Sequence, residues 1–300
     1  WIIVILTFPI FGVCLYLLFG RSGAVNIMRG RFTRTDTELQ PHYATPLDRA
    51  AMPQDPALQN QIHYLQTQAH YPACRNTDVT YYGDTNAALE AQKTDLRKAQ
   101  HFIFMEYHAI EDSSAWQGIE DILAERAAAG VEVRVFYDDM GSIGFVDTAF
   151  AKKLQQRGIQ CRVFNPIVPV LNVFMNNRDH RKITVIDGQV GYTGGYNLAD
   201  EYFNLTHPYG RWKDSGVRLE GDAVRNLTLI FLEMWGTTQK EMPAIEPYLP
   251  AIRYTAREAA TVLPYADNPL DDKRVGEDVY LNFINSAQLY VYITTPYLIL

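Results

Sequence analysis

Hydrophobic and polar positions change period several times along this chain. Trp1 to Gly20 carries no charged side chain and one strong helix breaker, Pro9. At 1.5 Å per residue such a run would be about 30 Å long, the depth of a bilayer core, so it predicts a transmembrane helix over 1–20. Arg21, Arg29, Arg31 and Arg34 follow before any acid, which by the positive-inside rule puts the remainder on the cytoplasmic side. Trp1 in place of an initiator Met points to sequence upstream, where a first spanning helix would fit. Residues 21–77 are polar and dotted with Pro41, Pro46, Pro53, Pro56 and Pro72. They read as a juxtamembrane linker with one short helix near Ala57–Ala69.

From Val79 onward the pattern alternates between strand and helix periods. Phe102–Tyr107 reads as a strand, Ala115–Ala129 as a helix closed by Gly130, and Val131–Tyr137 as a second strand ending at Asp138-Asp139. Such alternation predicts an α/β layered domain. The segment Lys98–Ile110 also looks like Ser286–Ile299, each an helix end running into an aromatic and aliphatic strand. Aligning Ala99 with Ala287 gives an offset of 188 residues, so a second copy of the domain would only begin at the end of these residues. Similar helix-to-strand junctions are common enough that this match alone leaves the repeat open.

Composition narrows the options. The 300 residues are 47% hydrophobic and 20% charged, enough for one large core or two ordinary ones. A net charge of −7 offers no overall basic field to a nucleic-acid backbone. An anionic substrate must therefore be met by local cations. Three cysteines, Cys14, Cys74 and Cys161, without a CxxC pair, argue against a disulfide framework or a zinc site.

Candidate chemistry is concentrated between Asn177 and Asn197. Ile183–Ile186 is a β-forming run, and residues two apart in a strand share a face, so His180 and Lys182 point the same way. Asp187 has the opposite parity and would lie about 23 Å from His180 in an extended chain. Asp187-Gly188 between two β-forming runs predicts a two-residue hairpin with positive φ at both positions. In that register Ile186 faces Gln189, Lys182 faces Thr193, and His180 falls opposite Gly195. Gly194 and Gly195 would then leave room for a phosphate beside the histidine, with Asn197 just beyond to donate its amide.

The run His180-x-Lys182-x4-Asp187 with Gly194-Gly195-Tyr196-Asn197 downstream resembles the HxKxxxxD motif of the phospholipase D superfamily. Tyr137–Ser142, the stretch continuing through Tyr202, and Trp212–Gly221 are similar to bacterial cardiolipin synthases, with similarity from about residue 56 to 300. The resemblance implies a phospholipase D-like layered domain, a mixed β-sheet flanked by helices, over 78–245. Residues 246–300 would be a linker and the start of a second such domain. It further implies a phosphatidyltransferase that moves a phosphatidyl group between two phosphatidylglycerol molecules through a phosphatidyl-histidine, releasing glycerol and yielding cardiolipin in the bacterial inner membrane. No metal or other cofactor is implied, and no nucleic acid. A second HxK half-site would come from the rest of the same chain, near position 368, and an oligomer is compatible with this.

Within that resemblance, His180 is the nucleophile or the leaving-group acid, and Lys182 and Asn197 hold the phosphoryl oxygens. Asp214, after Trp212-Lys213, is either the carboxylate that orients a motif histidine or a surface turn residue. Asp187 is a motif residue assigned to the hairpin turn, with side-chain hydrogen bonds that hold the strand pair. Arg178 meets either a lipid phosphate or a structural partner. Glu106 reads as a solvated strand end, Asp138-Asp139 as a turn or cap, Ile167–Phe174 as a buried strand, and the remaining histidines, His108 among them, as ordinary. A hydrolytic phospholipase D, a nuclease and a non-catalytic membrane scaffold are the competing functions.

Overall fold

The computed structural model describes residues 2–16, 23–166, 178–241, 244–258 and 260–295. Ile167–Phe174, Asn177 and the last residues of the expected repeat lie outside them. The N-terminal apolar run does not form one span. It makes α1 (Ile2–Thr7) and α2 (Pro9–Leu15), parted at Phe8, because proline has no N–H to donate and its ring crowds the preceding turn. The two short helices fold against each other at Gly12, where an added Cβ would lie 2.6 Å from the Ile5 Cα. Among the described residues no helix is long and apolar enough to cross a membrane.

α3 (Gly23–Leu39) and α4 (Pro56–Thr67) follow. α4 starts where Asp55 caps the N–H groups of Ala57 and Leu58 and Pro56 occupies the first turn. Phe32, Leu39, Leu65 and Tyr71 are among the buried side chains of this region, so a stretch polar enough to read as linker contributes to the core.

The body then runs β1 (Thr77–Tyr82), α5 (Thr85–Leu96), β2 (Phe102–Tyr107), α6 (Ser114–Ala128), β3 (Glu132–Asp138), α7 (Phe150–Gln156) and β4 (Gln160–Phe164). It continues with β5 (Lys182–Ile186), β6 (Val190–Gly194), β7 (Gly216–Gly221), α8 (Val224–Thr237) and α9 (Val275–Ser286). The strands form one mixed seven-stranded sheet in the order β1-β7-β6-β5-β2-β3-β4. β2, β3 and β4 are parallel neighbours, and every other pairing is antiparallel.

Both faces of the sheet are covered, and strand parity decides which side chain goes where. On β2, Ile103, Met105 and Tyr107 join Leu89, Leu96, Trp116 and Ile119 from α5 and α6. Phe102 and Phe104 turn the other way onto α8, where Phe104 stacks on Phe231 with ring centroids 4.6 Å apart. Burial on both faces is why the central strands read as continuous apolar runs. α9 stands where the helix of the second copy is expected. Residues 287–295 after it form no strand, and Leu289, Tyr290 and Tyr292 are exposed.

Candidate active site

One end of the sheet gathers the candidate residues. β2, β3 and β6 finish there, at Tyr107, Asp138 and Gly194, while β5 and β7 start there, at Lys182 and Gly216. The loops just outside those ends carry His108, His180, Gly195, Asn197 and Asp214. His180, Lys182, Gly194, Gly195, Asn197 and Asp214 line a single cavity of about 520 Å³, together with Tyr202, Arg211 and Trp212. Its size suits a small polar ligand or a headgroup.

The hairpin that delivers His180 differs by one residue from the expected register. Asp187 and Gly188 do take positive φ, 52° and 63°, and the Gln189 N–H closes the turn on the Ile186 carbonyl at 3.0 Å. Ile186 nevertheless pairs with Val190 and Ile183 with Thr193, and the ladder ends there, short of His180 and Gly195. The cause is tertiary: the Gln189 carbonyl accepts from Gly221 at the end of β7, and its side chain bonds Ala251 and Arg253. Gln189 therefore sits outside the ladder as an extra loop residue.

Lys182 is almost fully buried, and its Nζ donates to the His180 carbonyl at 2.7 Å. Burial lowers its pKa to about 8, against the pull of Asp179 and Asp214. His180 is pushed down to about 4, first by desolvation, then by the Lys182 and His108 charges. At neutral pH the pair is a cationic amine beside a neutral imidazole, the protonation states a phosphorus nucleophile and its charge stabiliser require. Asn197 is buried, its Oδ1 accepting from the Ala109 N–H at 3.1 Å and its Nδ2 donating to the Tyr202 hydroxyl at 2.7 Å. Those two bonds fix the plane of the amide.

Asp214 accepts from the Ser215 N–H at 2.8 Å and from the Trp212 indole at 3.4 Å. Its carboxylate rests on Gly195, where an added Cβ would lie 2.1 Å from Oδ1. Gly195 thus gives room to a carboxylate of its own chain, not only to a ligand. Gly195→Ala is expected to displace Asp214 and lower turnover by about tenfold or more, since misplacing cavity groups by an ångström is costly; steady-state rates beside an unchanged circular dichroism spectrum check it.

Two further sequence-predicted residues have structural partners. Asp187 lies at the far end of β5 from Lys182, and its carboxylate accepts the N–H groups of Gln100, His101 and Phe102, all at 2.8 Å. It ties its turn to the start of β2. Arg178 makes the structural contact, its guanidinium 3.4 Å from Asp138 Oδ1 and 3.3 Å from the Asn165 carbonyl.

Two residues, His108 and Glu106, prove other than they read, and a third, Asp138, keeps its expected role and gains another. The ring of His108 lies 4.6 Å from that of His180, centroid to centroid. Asp138 is fully buried and accepts from the N–H groups of Gly141 and Asp179 at 3.0 and 2.9 Å. It is a turn cap as expected, and it also anchors the segment that enters β5. Glu106 is not a solvated strand end: it is fully buried, 3.8 Å from Arg181, which also pairs with buried Glu233 at 3.2 Å. Burial and the neighbouring Asp179 push the Glu106 pKa well above its ordinary value, against the pull of Arg181. The local signal for all three is absent, because each depends on β2 lying beside β5 and β3.

Residues 93–235 match the family model described as the cardiolipin synthase, phospholipase D-like domain. Over its full length the chain is 39% identical to an uncharacterized protein of Streptococcus mutans, covering 65% of that protein. It is 31% identical to a cardiolipin synthase of Staphylococcus aureus and to cardiolipin synthase 2 of Bacillus cereus, covering 62% and 59% of their lengths. The chain thus spans somewhat less than two thirds of these relatives.

Proposed function

We propose that this chain, whose residues 93–235 match the cardiolipin synthase, phospholipase D-like domain, is a member of that family and carries one half of a phosphatidyl-transferring site. The observation that supports this reading is the single cavity shared by His180, Lys182, Asn197 and Asp214. In the proposed reaction the neutral His180 imidazole attacks the phosphorus of phosphatidylglycerol. A P–N bond forms as the P–O bond to glycerol breaks, and an acid on the opposite side of the phosphorus protonates the departing oxygen. The hydroxyl of a second phosphatidylglycerol then attacks the phosphatidyl-histidine, giving up its proton to the same group, now a base. Cardiolipin forms and His180 is regenerated.

Lys182 supplies the positive charge for the phosphoryl oxygens, and the second N–H of the Asn197 amide supplies a fixed donor. The acid on the far side has to come from a second HxK half-site, because one imidazole cannot serve both ends of an in-line displacement. A lipid substrate requires the cavity mouth to meet a bilayer, which a hydrophobic N-terminus would favour.

The full-length protein in mixed micelles with labelled phosphatidylglycerol tests the reading. Cardiolipin and glycerol in equal amounts are expected; phosphatidic acid alone would make the protein a hydrolase, and no product a scaffold. The rate should fall as pH rises through about 8, where Lys182 loses its proton, and stay flat on the acid side until His180 takes one up. A rate indifferent to pH between 7 and 9 would count against Lys182 as the charge on the phosphate.

A further inference from the structure

Taking the phosphatidyl-transfer reading as its basis, we propose that His108 is a positioning residue for His180: a second imidazole, locked in place by the fold, that sets the plane of the reactive ring and resists a further positive charge at the site. Three observations carry this. The rings lie 4.6 Å apart and tilted by 54°, within ordinary aromatic contact. The His108 ring is itself fixed, with Nδ1 2.7 Å from the Asp179 carbonyl; a carbonyl only accepts, so Nδ1 carries the proton and Nε2 the lone pair. The turn after β3 closes on the other edge, where a Cβ at Gly141 would lie 2.7 Å from the His108 Cε1 and Nε2.

A single buried carboxylate holds both walls of this clamp. Asp138 accepts from the Gly141 N–H on one side and from the Asp179 N–H on the other. The backbone completes it, with the His108 N–H donating to the Arg181 carbonyl at 3.0 Å. His108 is thus set between the end of β2, the turn after β3 and the segment that carries His180. It has less freedom than a histidine that merely fills a cleft.

The charged groups acting on the two rings are Lys182 from β5, Asp138 from β3 and Asp179 from the segment before β5, while Arg211, Lys213 and Asp214 line the same cavity as His180. Lys182 and a protonated His108 disfavour a proton on His180, and burial lowers the affinity of both rings for a proton. Two adjacent imidazolium ions beside a buried ammonium is the costly state, so His180 remains the free base over a wide pH range. Both rings stand side by side, so His108 is not the acid opposite the nucleophile.

The test uses full-length protein carrying His108→Ala or His108→Phe, read in two ways. The first needs no lipid: the pH dependence of His180 modification by diethyl pyrocarbonate, followed by peptide mass spectrometry. The reagent reacts with the neutral ring, so the midpoint reports the His180 proton. In His108→Phe that midpoint should rise by roughly half a unit or more, because no protonated His108 can then oppose the His180 proton while a ring remains. The second reading is turnover: His108→Ala should lower kcat about tenfold with KM within about twofold, and His108→Phe should recover most of that loss. Unchanged modification midpoints in both variants, or a His108→Ala kcat equal to wild type, would overturn the proposal. A wild-type protein that transfers no phosphatidyl group would instead overturn the functional reading, while the modification midpoints still decide the role of His108.

Discussion

Replacing His180 by alanine is expected to lower phosphatidyl transfer by the full-length protein at least about 10³-fold, because the group proposed to form the P–N bond is gone and no neighbour can take its place. His108 is close but faces the Asp179 carbonyl through Nδ1 and is clamped by Gly141. Lys182 is a cation at neutral pH, with a pKa of about 8, and its Nζ is already donating to the His180 carbonyl. Lys182→Met keeps the stem and removes the charge, so its expected loss is about 10²- to 10³-fold, the usual cost of one preorganised stabilising donor. The distinguishing measurement is a quench of the reaction with labelled phosphatidylglycerol. Protein-bound label should be absent in His180→Ala and present, though formed slowly, in Lys182→Met. Turnover in His180→Ala within tenfold of wild type would remove His180 from the chemistry.

Asp187→Ala is expected to act on stability instead. Its carboxylate accepts three backbone N–H groups, from Gln100, His101 and Phe102, at 2.8 Å each. These are the donors that bring the chain into β2, and removing the acceptor leaves them to solvent or unpaired. At about 1 kcal/mol per bond the loss is about 3 kcal/mol, with a further contribution because Asp187 holds a φ of 52° that alanine adopts reluctantly. A melting temperature lower by roughly 6 to 12 °C should follow for a domain of this size. Asp187→Asn keeps the tolerance for positive φ and one accepting oxygen, and should fall between. The rate per folded molecule should change by less than about threefold in both, since Asp187 is roughly 17 Å from Lys182 along the strand. Unchanged melting with abolished turnover would reverse this assignment and return Asp187 to the active site.

Much of this protein follows from periodicity and local chemistry. Phe102–Tyr107 forms its strand with the expected bounds, since an apolar run of that length fits a strand buried on both faces. The helix expected over Ala115–Ala129 runs Ser114–Ala128, ending before the left-handed Gly130. Asp187-Gly188 makes its turn because positive φ at two successive residues is a property of those residues. His180 and Lys182 share a strand face for the same kind of reason, a period of two that needs no partner.

What only the tertiary structure decided are the facts that involve a second segment. Gln189 leaves the ladder because β7 and residues 251–253 take its hydrogen bonds, which shifts the β5–β6 register by one residue. Asp187 spends its carboxylate on β2. His108 reaches His180, and Glu106 is buried beside Arg181, only because β2 pairs with β5 across about 80 residues of sequence. A residue's own chemistry limits its backbone, but its proton affinity and its partners are set by what the fold brings within a few ångströms. For that reason the sequence by itself could point to His180, Lys182 and Asn197 as the proposed half-site, while the groups packed around His180 became visible only in three dimensions.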